Sequence, residues 1–334
     1  RILVLGATGF VGRALVDALV DAGEEVRAAS RHANSGDERD PGPPQRVRCD
    51  LRKPETLAAV LEGVDCVYYL VHSMGEGRPD FRAVERECAH NLARAAEASG
   101  CRRVVYLGGV APRGEPSEHL ASRLEVGSIL RDGGVPTVEL RAAMIIGVGS
   151  VSWKIVRDLA LRLPIMILPR WLDSRTRPIA IADVVVALLD ARRITIEESE
   201  WFDIPGPEVL SARQILRRVA LLRGRHIPML RVPVLTPRLS ALWLQFVTGA
   251  NYAVARELVL GLGEDLLPRD ARYWRLIGHE TLRSFDDAAE LALEAEARPQ
   301  GLSALGERLV EATAGVMSGA RRLEAPRARL RPPR

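Results

Sequence analysis

The chain has 334 residues, is 47% hydrophobic and carries a formal net charge of +4, so it can bury a large core. Its basic residues are nearly all Arg, Lys53 and Lys154 being the only lysines; this reflects genome composition, and no nucleic-acid-binding signature accompanies it, so nucleic acid is excluded as a partner. Cys49, Cys66, Cys88 and Cys101 lack C-x-x-C or His-paired spacing, which excludes zinc and fits reduced, cytoplasmic thiols packed as small hydrophobes. No run of about 18 uncharged apolar residues occurs and the chain opens directly on a strand, so neither a membrane span nor a signal peptide is expected.

The apolar run Ile2-Leu3-Val4-Leu5 predicts a strand, and Leu15, Val16, Leu19 and Val20 predict an amphipathic helix. Between them lies Gly6-Ala7-Thr8-Gly9-Phe10-Val11-Gly12. The first glycine allows a tight turn, the second lets backbone approach a pyrophosphate, and the third lets helix pack on strand. Backbone N–H groups at the helix start then hold the phosphates, which makes this segment a dinucleotide site.

Glu25 to Ala29 predicts the second strand, ending in Ser30-Arg31. An NAD site places Asp or Glu at that end to bind the ribose 2′-OH; here Arg31 is positioned for a 2′-phosphate instead, so NADP(H) is expected in preference to NAD(H). The stretch His32 to Pro44 is polar and rich in Gly and Pro and is expected to be a surface loop. Further strands are expected at Val47 to Leu51, Asp65 to Val71, Val104 to Leu107 and from Glu139, with alternating helices between them.

The G-x-x-G-x-x-G spacing, one residue longer in its first gap than the ordinary dinucleotide fingerprint, and the enclosed Ala7-Thr8 resemble the extended and atypical short-chain dehydrogenase/reductases. Asp50-Leu51 looks like the pair this superfamily places near adenine, and Val71 ends its fourth strand at the cofactor. Glu139-Leu140-Arg141 through Gly147 resembles the sixth strand, Pro178 to Val184 the segment that begins a late helix, and Phe285-Asp286-Asp287-Ala288 a terminal helix. The resemblance spans residues 1–298 and is nearest the NmrA-like, atypical branch. It implies a Rossmann-type doubly wound parallel α/β sheet with a smaller mixed C-terminal lobe. The expected division is a body over 1–149, an interleaved lobe over 150–298, and a terminal helix with a basic tail over 299–334.

The superfamily's usual mechanism uses a Tyr to deliver a proton, a Lys four residues later and a Ser after the fifth strand. In this chain the fifth strand runs into Gly108-Gly109-Val110. By alignment His119 stands at the Tyr position and Arg123 at the Lys position, four residues apart on one helical face. His119 suits proton donation near neutrality, against the plainer reading of a helix histidine with no special partner; Arg123 suits the nicotinamide ribose but cannot lose a proton. Ser117 reads as the helix cap, with Ser122 a second candidate hydroxyl.

Without the triad, alcohol/ketone chemistry is disfavoured, whereas a quinone, flavin or activated alkene can take its proton from water or one histidine. Residues 151–172, with Trp153, Met166 and Trp171, suit either a pocket for a small hydrophobic substrate or core packing. The blocks Leu235 to Val247 and Tyr252 to Leu262 suit core, a lid, a homodimer face or a membrane-contacting patch. A helix near Ser303 to Met317 and the basic, proline-broken residues 320–334 are read as a solvated end, or alternatively as a peripheral membrane contact. The expectation is an NADPH-dependent oxidoreductase in the cytoplasm; the alternative is a dinucleotide-sensing regulator or scaffold whose partner is another protein.

Overall fold

Strand side chains alternate between two apolar layers, and that alternation builds the body. In β1 (Ile2–Leu5), Ile2 and Val4 enter one layer and Leu3 and Leu5 the other; β4 (Cys66–Tyr69) and β5 (Arg103–Gly109) repeat the division. Strands buried on both faces demand helices above and below, which the crossover connections of a parallel sheet supply. The computed structural model describes residues 1–31, 42–72, 80–163, 165–168, 173–231 and 265–297.

The remaining sheet strands are β2 (Val26–Ser30), β3 (Gln45–Arg48), β6 (Thr137–Ala142) and, much later, β11 (Glu200–Asp203). They form a seven-stranded parallel sheet in the order β11-β6-β5-β4-β1-β2-β3. Helices α1 (Phe10–Asp21) and α6 (Ile181–Ala191) cover one face through Leu15, Leu19, Val184 and Leu188. On the other face lie α2 (Pro54–Leu61), α3 (Phe81–Ala98) and α4 (Glu118–Arg131), through Leu57, Leu92 and Val126. Strand order reverses between β1 and β4, and a ligand crevice belongs at the carboxyl ends of those two strands.

The smaller C-terminal region packs α5 (Val151–Arg162), α7 (Ala212–Leu221) and α9 (Phe285–Ala297) around Trp153, Leu216, Val219 and Phe285. It carries two-stranded pairings of β7 (Ile145–Ile146) with β10 (Ile179–Ala180), β9 (Arg175–Thr176) with β12 (Leu210–Ser211), and β8 (Met166–Leu168) with β13 (Met229–Arg231). Short α8 (Arg272–Leu276) is seated on the body: the Tyr273 hydroxyl donates to Ala187 O at 2.7 Å and Trp274 Nε1 to Pro205 O at 2.9 Å. Since α6 and β11 complete the body, the chain returns to it after entering the lobe.

Strand boundaries differ from the sequence pattern, most clearly at β3 and β5. β3 begins and ends earlier than the expected 47–51, because Asp50 turns the chain by accepting the Arg52 N–H at 3.1 Å while Lys53 N–H closes on Asp50 O at 2.8 Å. β5 is longer, since Gly108 and Gly109 continue the ladder opposite Arg141 and Ala142. Trp153 is fully buried, which makes it core and not pocket lining. All four cysteines are buried and unbridged, and burial pushes the Cys88 thiol up to about 12. Among the described residues no helix is long and apolar enough to cross a membrane, and no three side chains are grouped to hold a metal. Residues 32–41, Trp171, the blocks 235–247 and 252–262, the helix near 303–317 and the tail 320–334 lie outside the described residues.

Candidate dinucleotide site and catalytic wall

Gly6 leaves β1 with φ +85°, a conformation costly for any residue with a Cβ, and a Cβ there would stand 2.7 Å from Leu70 O at the end of β4. A Cβ on Gly12 would stand 2.1 Å from Gly6 O, so α1 is pressed directly on the turn. Gly9 is different: an added Cβ meets only Gly6 O, at 3.2 Å, and otherwise points into open space. Gly9 is also the N-cap of α1, contributes no side chain, and is followed by a first turn without an acidic residue. The N–H groups of Phe10, Val11 and Gly12 thus carry the positive end of the helix dipole toward an anion. This cradle fits a dinucleotide pyrophosphate.

Other members of the expected cofactor set fall around this turn. Thr8 is exposed at its tip, whereas Phe10 and Val11 pack their side chains on the body core and offer backbone only. Phe10 lies under the loop after β7, since a Cβ on Gly147 would come within 2.9 Å of its ring. Val71 borders the turn, its backbone nitrogen 3.2 Å from where a Gly6 Cβ would stand. Ser30 O accepts the Cys49 N–H at 3.0 Å, joining the ends of β2 and β3. Leu51 is buried, its carbonyl held by Asn91 Nδ2 at 2.9 Å, while Asp50 is half-buried. Burial opposes ionisation of Asp50, but hydrogen bonds from Arg52 and the charges of Arg52 and Lys53 hold its carboxyl below the usual range.

Beyond the ends of β2 and β3 a cleft of about 320 Å³ is lined by Arg31, Arg48, Asp50, Lys53, Glu55 and Thr56. Arg48 ends β3 and Lys53 precedes α2, so cations from separate elements converge with Arg31. Sequence reasoning found Arg31 alone; the in-register pairing of Ser30 with Arg48 is what adds the second guanidinium.

The candidate catalytic wall is built from the ends of β4 and β5 and the start of α4. Ser117 caps α4 by accepting the Leu120 N–H, as its sequence position indicates. His119 lies half-buried with its ring stacked on Phe81 of α3, centroids 4.4 Å apart and planes at 27°. One nitrogen of the Arg123 guanidinium donates to Leu107 O at 3.1 Å, and its Nε is buried with no hydrogen-bond partner. Ser122 is fully buried and bonds the buried Glu85 of α3, which removes it as a substitute catalytic hydroxyl. The Tyr106 hydroxyl donates to Arg123 O at 3.0 Å, fixing this turn of α4 on β5.

Sequence reasoning missed His72, three residues past the last residue of β4. It is exposed. Surrounding protein first, then the charges of Arg123 and His119, push its imidazole pKa below the usual value, so these three side chains share one neighbourhood. The available signal was positional: His72 is the first titratable residue after a strand that borders the switch point.

Beneath the wall, Glu139 of β6 is wholly buried and accepts from Arg131 at 2.7 Å and Arg141 at 2.8 Å. Its carboxylate occupies the space that side chains at Gly108 and Gly127 would take, 3.0 and 2.5 Å from their Cβ positions. Arg141 is covered in turn by the Trp201 ring at 4.3 Å. Asp183, in the first turn of α6, accepts from Arg283 N at 3.0 Å and contacts His279 Nε2 at 3.1 Å, anchoring the segment before α9. The motif residues Arg141 and Asp183 are therefore structural supports.

Residues 6–162 match the NAD(P)H-binding family model. The (4-alkanoyl-5-oxo-2,5-dihydrofuran-3-yl)methyl phosphate reductase of Streptomyces griseus is 30% identical over 235 residues, which is 68% of this chain and 75% of that protein. Sterol demethylase protein B of Methylococcus capsulatus is 34% identical over 125 residues, 35% of this chain and 38% of that protein. Among solved structures, triphenylmethane reductase from Citrobacter superposes with a TM-score of 0.70, covering 88% of this chain and 99% of that one at 14% identity. With its glycine turn, parallel sheet and nicotinamide-dinucleotide-binding domain, the chain belongs to the short-chain dehydrogenase/reductase superfamily, as an atypical member.

Proposed function

We propose that the protein is an NADPH-dependent oxidoreductase of the NmrA-like type that reduces a hydrophobic acceptor, an activated alkene, quinone or flavin. The observation that carries this reading is the wall itself: an imidazole and a guanidinium replace the Tyr and Lys beside a glycine turn shaped for a dinucleotide. The related Streptomyces reductase supports the activated-alkene class, because its substrate name describes a dihydrofuran ring bearing oxo and alkanoyl groups. The Arg31, Arg48 and Lys53 cleft supports NADP over NAD, since a 2′-phosphate is an anion that guanidinium forks bind bidentately.

Bound NADPH supplies the hydride. The chain's own residues hold the dinucleotide at the turn, contact its ribose from Arg123, and deliver a proton from His119, whose ring is fixed on Phe81. Replacement of His119 by Gln should lower turnover about 10² to 10⁴-fold while leaving NADPH affinity unchanged, whereas Arg123→Ala should weaken NADPH itself. Following loss of NADPH absorbance with an enone, quinone and flavin panel measures both.

A second reading has its own observation. Arg123 is engaged with Leu107 O and Ser122 with Glu85, so two side chains of the wall serve the fold. A dinucleotide-sensing regulator or scaffold would look like this, and it would bind NADPH stoichiometrically without oxidising it on any acceptor of the panel.

A further inference from the structure

We propose that His72 is a second working imidazole of this site, donating a hydrogen bond to the acceptor oxygen on which negative charge collects while His119 supplies the proton. This rests on the oxidoreductase reading and narrows its substrate class to enones, alkenes conjugated to a carbonyl.

Position comes first. β4 and β1 border the switch point, and the backbone of Leu70 and Val71 touches the glycine turn at Gly6. His72 follows directly, so it lies beside the dinucleotide cradle. Access comes second. The His119 ring is half-buried and stacked on Phe81, whereas His72 keeps an exposed edge even though protein crowds it.

Charge comes third. Crowding by protein and the positive charges of Arg123 and His119 disfavour an imidazolium at His72. A neutral imidazole still offers one N–H donor, and a neutral imidazole that polarises a carbonyl is an effective electrophile in other enzymes. The wall is thus split between one imidazole held neutral for hydrogen bonding and another left to pass a proton.

The step balances as follows. The acceptor gains a hydride at its β-carbon, and the carbon–carbon π pair moves onto the carbonyl oxygen, which the His72 N–H holds. The α-carbon takes a proton from His119, and water replaces it. NADPH, the acceptor and one proton become NADP⁺ and the reduced acceptor. An isolated alkene would place charge on carbon and gain nothing from His72.

Two measurements test the assignment. In turnover with an enone, His72→Phe should lower kcat roughly 10²-fold with an unchanged Kd for NADPH, and His72→Asn, which keeps an N–H donor, should recover at least about a tenth of the loss on a logarithmic scale. Unchanged kcat in His72→Phe, or equal losses in both variants, overturns the proposal. Independently of turnover, imidazole signals of His72, assigned by comparison with His72→Asn, should shift when 4-nitrophenolate is added to the NADP⁺ complex as a mimic of the charged oxygen. Signals that do not move overturn it as well. If the wild-type chain oxidises NADPH on no acceptor, the oxidoreductase reading fails, and the phenolate experiment alone still decides whether His72 receives an anionic oxygen.

Discussion

The glycine turn after β1 and the glycines beneath the catalytic wall are both crowded, but they make room for different things. At Gly6 and Gly12 the neighbour is backbone, and Gly9 opens toward empty space ahead of a helix N-terminus. At Gly108 and Gly127 the neighbour is the Glu139 carboxylate, and at Gly109 it is the Leu120 side chain, whose Cδ1 would lie 2.7 Å from an added Cβ. The first region reserves volume for a ligand, the second for the chain's own side chains. Glycine spacing therefore signals a binding site only when one of the glycines faces outward. A serine at Gly109 has no room by the same comparison, because the Leu120 side chain fills that space.

The largest expected effect separates the two regions by stability. Glu139→Ala leaves Arg131 and Arg141 without their buried counter-charge, and breaking such a cluster costs about 3 to 5 kcal/mol. Urea unfolding should report that loss, while NADPH affinity of the folded fraction stays at the wild-type value. A parallel loss of affinity would show that the two regions are coupled and would break the comparison.

A smaller effect sharpens it from the other side. Gly12→Ala forces a methyl against the Gly6 carbonyl, which should cost about 1 to 3 kcal/mol and remove dinucleotide binding with it. Gly9→Val should remove binding while leaving the melting temperature within a few degrees, because its side chain extends into space that only a ligand would fill. Nucleotide fluorescence titration beside thermal melts distinguishes the pair. Retained binding in Gly9→Val would remove the pyrophosphate assignment.

The cofactor half was legible because its requirements are local. A strand, a turn that needs φ above zero and a helix start sit within twelve consecutive residues, and the Ser117 cap and the α6 start are equally local. The candidate catalytic half was only partly legible, because its geometry depends on contacts between distant segments. His119 and Arg123 share a helical face by spacing alone, but Phe81 under His119 and Leu107 O under Arg123 come from other elements. His72 and Arg48 reach the site through strand order and register, which no short window of sequence reveals. Trp153 suited pocket and core equally by composition, and only the packing of α5 against α7 and α9 buried it.

The smallest expected effect concerns the rim of the cofactor half. A charge-assisted contact contributes about 1.5 to 3 kcal/mol, so Arg31→Ala should weaken NADPH about tenfold or more and hardly change NADH. Arg48 and Lys53 line the same cleft and, like Arg31, are exposed, so each single replacement should fall toward the low end of that range. Raising the salt concentration should narrow the gap between NADPH and NADH in the wild-type protein, because these charges lie in solvent reach. Equal losses for both nucleotides in Arg31→Ala would place this arginine on a part of the dinucleotide that both share, leaving the glycine turn as the sole determinant of binding and the cleft without a role in discrimination.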